Sequence, residues 1–276
     1  MLSIIIVHFH TPELLRLCLR SIRDTVKTDY EVLIADSEAD PDTETDLRQE
    51  FPSPAGEIIY QPFRQNIGYA KGINWGIEHS QGEYILILNP DIILAPNAVA
   101  ELRKFLDTNP TVGLVGPRLV NFNGKTQNSA ARFYRPFTIV FRRTWLGKLG
   151  FAKKQLAKFN YEEQDKNQVF YPDWIQGSAL MTRRSAIARV GKLDENFFLY
   201  FEDVDWCHRF WENGLRVAYY PLATVFHYHQ RQSRAGLDIF DYLIRKETRW
   251  HVRSGWHYFR KHGWHYQSGT ELLPPR

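Results

Sequence analysis

The segment EYILILNPD (83–91) carries five apolar residues in a row and then stops at an Asn-Pro turn. A strand with no polar alternation needs cover on both faces, as in a parallel sheet packed between helices. Such a strand would deliver Asn89 and Asp91 to its carboxyl end, where α/β sheets bind ligands. The same grammar recurs outward from it. LSIIIV (2–7), YEVLIAD (30–36), EIIY (57–60) and VGLVGPRLV (112–120) read as further strands. Helical patterns separate them. Thr11-Pro12 opens one carrying Leu14, Leu15, Cys18, Leu19 and Ile22; a weak one covers 42–50; Pro96 starts another that runs to Thr108. Between the third and fourth strands, NIGYAKGINWGI (66–77) sets Gly68, Gly72 and Gly76 four residues apart on a helix face. Each glycine inside a helix costs about 1 kcal/mol relative to alanine. The bare stripe therefore predicts a very close neighbour, with the 66–68 end at the sheet's carboxyl edge.

Composition narrows the class. At 276 residues, 43% hydrophobic and 24% charged, the chain is globular rather than disordered. The net charge of +4 is too small to imply a polyanionic partner by itself. Cys18 and Cys207 make no disulfide framework and fit a reducing cytoplasm. MLSIIIVHFH (1–10) lacks the basic start and cleavage site of an export signal, so it reads as a buried first strand. No run reaches 18 apolar residues, so no membrane span is expected.

Past the fifth strand the pattern dissolves between 125 and 161. That segment has nine Lys or Arg, no Asp or Glu, and interleaved Phe133, Tyr134, Phe137, Phe141, Trp145 and Phe151. DWIQGSALM (173–181) reads as a strand, with a short helix from Arg184. The 193–214 stretch is a loop and then a helix ended by Gly214, 215–221 is a strand, and 237–264 is helical, basic and aromatic.

Each chemical candidate has two readings. Asp36 ends the second strand as a turn residue or as a ribose or base acceptor. Asn89 and Asp91 form a turn with a capping acid, or offer oxygens to a hard divalent cation. His227 and His229 would share a strand face; imidazole beside carboxylate favours Mn²⁺ over Mg²⁺, and zinc-finger spacing is lacking. Glu202, Asp203 and Asp205 suit a helix's first turn, and the same dipole would keep a general base ionised.

DSEAD, RQNIGYAKGINWGI, YILILNPDI, GSALMTRRSAI, DENFFLYFEDVDWCHR and VFHYHQRQS occur in the order seen in family 2 glycosyltransferases. Over roughly 2–235 the chain resembles the rhamnosyltransferase-like members that build bacterial surface polysaccharides. The resemblance implies a GT-A fold: a Rossmann-like, mostly parallel α/β sheet with helices on both faces and a C-terminal acceptor-binding half. It divides the chain into a nucleotide-sugar-binding half (1–121), an acceptor-binding and catalytic half (122–235) and a basic aromatic extension (236–276). It implies inverting transfer of a sugar from a nucleotide-diphosphate sugar to a hydroxyl of a glycan or lipid-linked acceptor, with Mn²⁺ or Mg²⁺. Asp91 and His227 then hold the metal, and Asp203 is the base of a Glu202-Asp203 pair. His8, Asp36, Asn66, Gly68, Lys71, Asn74, Asn89, Trp174 and Gly177 fall on the donor side.

The chain departs from the family pattern at three places. Asn89 replaces a first Asp, His8 and His10 stand where Asn or Ser is commoner, and DSEAD is a loose form of the usual turn. The nucleobase therefore stays open. Two other readings remain: a non-catalytic sugar-nucleotide-binding protein of the same fold, and a nucleotidyltransferase, although VHFHTPE (7–13) lacks that class's glycine-rich loop. A dehydrogenase is disfavoured because no G-x-G-x-x-G follows a first strand. The basic aromatic segments fit either a solvated acceptor half or docking to an anionic cytoplasmic leaflet; nucleic acid is not expected.

Overall fold

The computed structural model of the chain describes residues 1–38, 41–51, 57–228 and 246–274. His229 and the first part of the helix expected over 237–264 lie outside them.

Strand β1 (Leu2–His8) shows why the apolar runs fold as they do. Leu2, Ile4 and Ile6 point into one core layer and Ile5 into the other, so the strand is buried on both faces. Helix α1 (Pro12–Thr25) starts with Pro12, whose fixed φ suits the first helical position. It places Leu15, Cys18, Leu19 and Ile22 on the Ile4 side. Strand β2 (Tyr30–Asp36), helix α2 (Pro41–Glu50) and strand β3 (Glu57–Pro62) follow. Next come α3 (Tyr69–His79), β4 (Tyr84–Leu88), β5 (Ile92–Leu94), α4 (Ala98–Thr108) and β6 (Val112–Val120).

The glycine stripe meets the expected close neighbour. A Cβ on Gly72 would lie 2.6 Å from Val7 Cγ2, and one on Gly76 would lie 2.4 Å from Ile5 Cγ2. Helix α3 therefore lies directly on β1. Gly68 differs: its φ of +82° and the Phe198 carbonyl, 2.7 Å from a built Cβ, admit only glycine at the helix entrance.

The stretch expected to be irregular, 125–161, is instead ordered. It contains β7 (Ala130–Ala131), α5 (Pro136–Arg143), a 3₁₀ turn (Trp145–Lys148) and α6 (Gly150–Phe159). Its helical period was hidden because Phe137, Trp145 and Phe151 sit on the exposed side, where polar residues normally mark the outer face. The single strand expected over 173–181 is broken into β8 (Trp174–Ile175) and β9 (Ala179–Arg183). Helix α7 (Arg184–Val190), α8 (Glu202–Glu212), β10 (Arg216–His227) and α9 (Lys246–His262) complete the described elements.

Eight strands join in one sheet in the order β3-β2-β1-β4-β9-β6-β10-β5. The β1–β2, β2–β3, β1–β4 and β6–β10 pairings are parallel, whereas β9 runs antiparallel to β4 and β6, and β5 antiparallel to β10. The chain thus adopts the α/β architecture anticipated, with helices on both faces. Strands from 1–121 and from the later part share this sheet. Because β9 is reversed, its first residue, Ala179, pairs with Leu88, the last of β4. That reversal brings Gly177 and Ser178 to the carboxyl edge beside Asn89.

Candidate active site

At the β1 and β2 ends, His8 and Asp36 are both fully buried, 3.0 Å apart between Nδ1 and Oδ1. The Thr11 N–H donates to His8 Nε2 at 3.1 Å, so the ring proton lies on Nδ1 and is donated to Asp36. Tyr60 donates to the other Asp36 oxygen, and the Glu38 N–H donates to Oδ1 at 2.9 Å. Burial favours the neutral acid, but these donors outweigh it and hold the Asp36 carboxyl below the usual range. The residue expected on the nucleoside side is thus held in a buried hydrogen-bond hub. At the surface beside it stand His10 and Glu38, joined by a 2.5 Å contact.

Asn89 and Asp91 follow β4 as the apolar run required. The Asn89 N–H donates to Ser178 O at 2.8 Å, and the Tyr228 N–H to Asp91 O at 3.0 Å. His227, the last residue of β10, brings Nε2 to 3.3 Å from Asp91 Oδ2. A relay of amides sets that imidazole's tautomer. Asn121 Nδ2 donates to the Lys125 carbonyl, so Asn121 Oδ1 accepts from Gln127 Nε2 at 2.7 Å. Gln127 Nε2 also donates to the His227 carbonyl, leaving Gln127 Oε1 to accept the His227 Nδ1–H at 2.8 Å. In the neutral ring the Nε2 lone pair then faces a carboxylate oxygen. One imidazole nitrogen beside one carboxylate oxygen is a donor set that fits Mn²⁺.

The Glu202-Asp203 pair opens α8 after a strained aromatic loop. Tyr200 and Phe201 have φ of +70° and +68°, a region non-glycine residues adopt at a cost. Asp203 Oδ2 accepts the Gly177 N–H at 2.9 Å, and Oδ1 accepts the Val204 N–H at 2.8 Å. Burial pushes its pKa up, these two donors and the Arg142 charge pull it part of the way back, and the net result is a carboxyl raised to about 6. Glu202 has only its own backbone N–H for such support. Its Oε2 is buried without a hydrogen-bond partner, so burial and then the neighbouring Asp203 charge lift it far above the ordinary range. Of the two, Glu202 is therefore held the more strongly towards its neutral form, and Asp203 is the better placed to act as a carboxylate.

Tyr69, Gln127 and Arg142 were not singled out from the sequence as site residues. Tyr69 donates to Gly177 O at 2.7 Å, and burial first, then the acidic groups around it, raises its hydroxyl well above the usual value. Tyr69 stood inside a quoted motif, and Arg142 only in a run of basic residues. Gln127 carried no signal. Of the expected donor residues, Asn66 Oδ1 accepts the Gly68 N–H at 2.9 Å, Lys71 is exposed on α3, and Trp174 donates to Arg132 O at 2.7 Å. Asn74 differs from expectation. Its buried amide clamps the backbone of Leu193 in both directions, at 2.9 and 3.0 Å, and reaches Glu195, tying α3 to that turn.

The carboxyl edge of a mostly parallel sheet, an acidic pair opening a helix and a reversed strand between them make up the GT-A arrangement. Two solved structures share that fold. One is GalNAc-T7 with UDP, GalNAc and Mn²⁺, at TM-score 0.63 and 17% identity over 90% of this chain and 46% of that one. The other is S. aureus TarS 1–349, at TM-score 0.56 and 12% identity over 82% of this chain and 60% of that one. Residues 3–188 match the model of glycosyl transferase family 2, and the chain belongs to that family. It is 28% identical over 210 residues to the N-acetylglucosaminyl-diphospho-decaprenol L-rhamnosyltransferase of Mycobacterium tuberculosis, covering 71% of this chain and 66% of that protein. A rhamnosyltransferase of Escherichia coli is 27% identical over 179 residues, with 65% and 62% covered. A low-salt glycan biosynthesis hexosyltransferase of Haloferax volcanii is 25% identical, with 82% and 66% covered. The chain thus spans a little under two thirds of the length of these relatives.

Proposed function

We propose that the chain is an inverting glycosyltransferase of cell-surface glycan synthesis, with rhamnose the sugar to test first. The donor is a nucleotide-diphosphate sugar, held by the strand ends of 1–121; the acceptor is a hydroxyl of a glycan or lipid-linked molecule, met by 122–235. The observation that carries this reading is the unequal hydrogen-bond supply of the carboxylate pair: Asp203 is fixed by two backbone N–H groups, while Glu202 Oε2 beside it is buried without a partner.

Inversion is one in-line displacement. As the acceptor oxygen attacks the anomeric carbon, the bond to the leaving diphosphate breaks and the hydroxyl proton passes to a base. Asp203 takes that proton, and the Gly177 and Val204 N–H groups hold the carboxylate for it. Asp91 and His227 are the residues that would hold a divalent cation, which when bound neutralises charge on the departing diphosphate. The Asn121–Gln127 relay keeps His227 in the ligating tautomer. Thermal shifts with UDP-, dTDP- and GDP-sugars, with and without Mn²⁺, identify the donor. A non-catalytic binding protein would shift with a donor yet neither transfer nor hydrolyse it.

We also propose docking to an anionic cytoplasmic leaflet through α5, α6 and the turn between them. Phe137, Trp145 and Phe151 are 69%, 66% and 58% exposed, and Lys148, Lys153, Lys154 and Lys158 are exposed with them. Lysines near such a surface contribute about 1 kcal/mol each, so these four alone give binding only in the millimolar range. Inserted aromatic rings supply the rest. No described helix is long and apolar enough to cross a membrane.

A further inference from the structure

About one and a half to two and a half turns beyond Asp203, α8 meets the last turn of α9 at a second cluster of ligating groups. His208 and Glu212 share one face at i, i+4 spacing, and His262 comes across from α9. His208 Nδ1 lies 3.3 Å from Glu212 Oε1 but is buried and has no hydrogen-bond partner. His262 Nδ1 lies 3.8 Å from the same oxygen, too long for a hydrogen bond. All three ligand atoms fall within 4.8 Å of one another. The two imidazoles are only 7% and 5% exposed, with ring centroids 3.9 Å apart.

A partner outside the cluster orients His262. Its Nε2 lies 2.8 Å from Asp205 Oδ1, an oxygen that only accepts, so Nε2 carries the proton and Nδ1 turns its lone pair towards Glu212. A carboxylate behind a histidine in this way is the usual outer support of a metal ligand. The surrounding charge permits a cation. Asp194, Asp205 and Glu212 stand against Arg209 and Lys261.

We propose that His208 Nδ1, Glu212 Oε1 and His262 Nδ1 form a zinc-class metal site that fastens α9 to α8. Two nitrogens and one carboxylate suit Zn²⁺ rather than Mg²⁺ or Ca²⁺, which take oxygen ligands. Ligand atoms about 2.0–2.1 Å from a tetrahedral zinc lie roughly 3.3 Å apart. His208 and Glu212 already meet that separation at 3.3 Å, and His262 stands 3.8 Å from the Glu212 oxygen, so it has to draw in on binding. Glu212, 44% exposed, leaves an entry path and a water-accessible fourth position. At 1.5 Å per residue, His208 and Glu212 stand about 8 and 13 Å along the helix from Asp203, and the cluster shares no residue with the Asp91–His227 pair.

The test uses the full chain stripped with EDTA, carrying Asp91→Asn to silence the other pair, and zinc alone as the probe. This background is expected to retain one zinc through gel filtration, to melt higher with zinc, and to give tetrahedral d–d absorption with Co²⁺. Adding Glu212→Gln, at a partly exposed position that should fold normally, is expected to weaken zinc at least tenfold and abolish the melting shift; His262→Gln should do the same. Metal-free melts verify the fold of each variant. Absence of zinc binding at micromolar concentration, or unchanged zinc affinity in either folded variant, overturns the proposal.

Discussion

Adjacent carboxylates on one helix are raised to different extents because their hydrogen bonds differ, not because their residue types do. Asp203 receives two backbone N–H groups, while Glu202 keeps a buried oxygen without a partner. Replacing Asp203 by Asn preserves shape and removes the base, so transfer should fall about 10²–10⁴-fold while donor binding by thermal shift stays near wild type. Wild-type turnover in the purified variant would sink the assignment. The pH dependence has a definite sign. Burial raises the pair, so the base is lost as pH falls through a value above the ordinary Asp range, and the acid limb of the rate profile should lie higher than for an exposed Asp. A carboxyl raised on folding contributes stability below its unfolded value and loses it as pH rises. Glu202→Gln should therefore raise the melting temperature more at pH 8 than at pH 5; the reverse order would contradict a neutral Glu202. Gln127→Leu removes the acceptor that sets the His227 tautomer, and Mn²⁺ affinity by titration should drop about 10–100-fold.

At the scale of elements, the glycine stripe of α3 sets the helix-to-sheet distance. Any side chain at Gly72 or Gly76 meets β1 at well under contact distance. Gly72→Leu forces α3 off Val7, and overpacking of this kind costs about 1–3 kcal/mol. Since α3 starts at the strand ends, donor affinity should fall with the melting temperature; a variant with both unchanged would leave the stripe without an account. The strands and helices of the first 121 residues were legible because their apolar periods agree with burial on two faces. Helices α5 and α6 were not, because their exposed aromatic residues invert that signal. Neither was the direction of β9: a run of apolar residues has the same pattern whichever way it enters a sheet.

For the molecule as a whole, the buried Asp173 joins parts of the chain far apart in sequence. Its oxygens accept from the Phe133 and Gly269 N–H groups, each at 2.9 Å, and from the Tyr266 and Tyr161 hydroxyls. Helix α9 adds a second tie, with Ser254 donating to the Leu199 carbonyl at 3.0 Å behind the strained aromatic loop. Asp173→Ala leaves two backbone N–H groups without their acceptor at about 1–3 kcal/mol each, so unfolding by denaturant should shift by several kcal/mol. An unchanged midpoint would show that the C-terminal tail is held otherwise. On the outer surface, Trp145→Ser should cut co-sedimentation with anionic vesicles severalfold at low salt; full binding by that variant would move the docking face elsewhere.

The identities of the chemical groups were local information. YILILNPD specifies a doubly buried strand with polar residues at its end, and YFEDVDW an acidic helix start, because periodicity and turn chemistry act over a few residues. Assembly was not local. Asp91 meets His227 136 positions later, and Gly177 meets Asp203, only because β9 runs backwards through the sheet and β10 extends to the same edge. The enclosure of Asp36 and the divergence of Glu202 from Asp203 depend in the same way on which donors reach each oxygen. Burial and hydrogen-bond supply are properties of the packed chain, and no spacing within a motif encodes them.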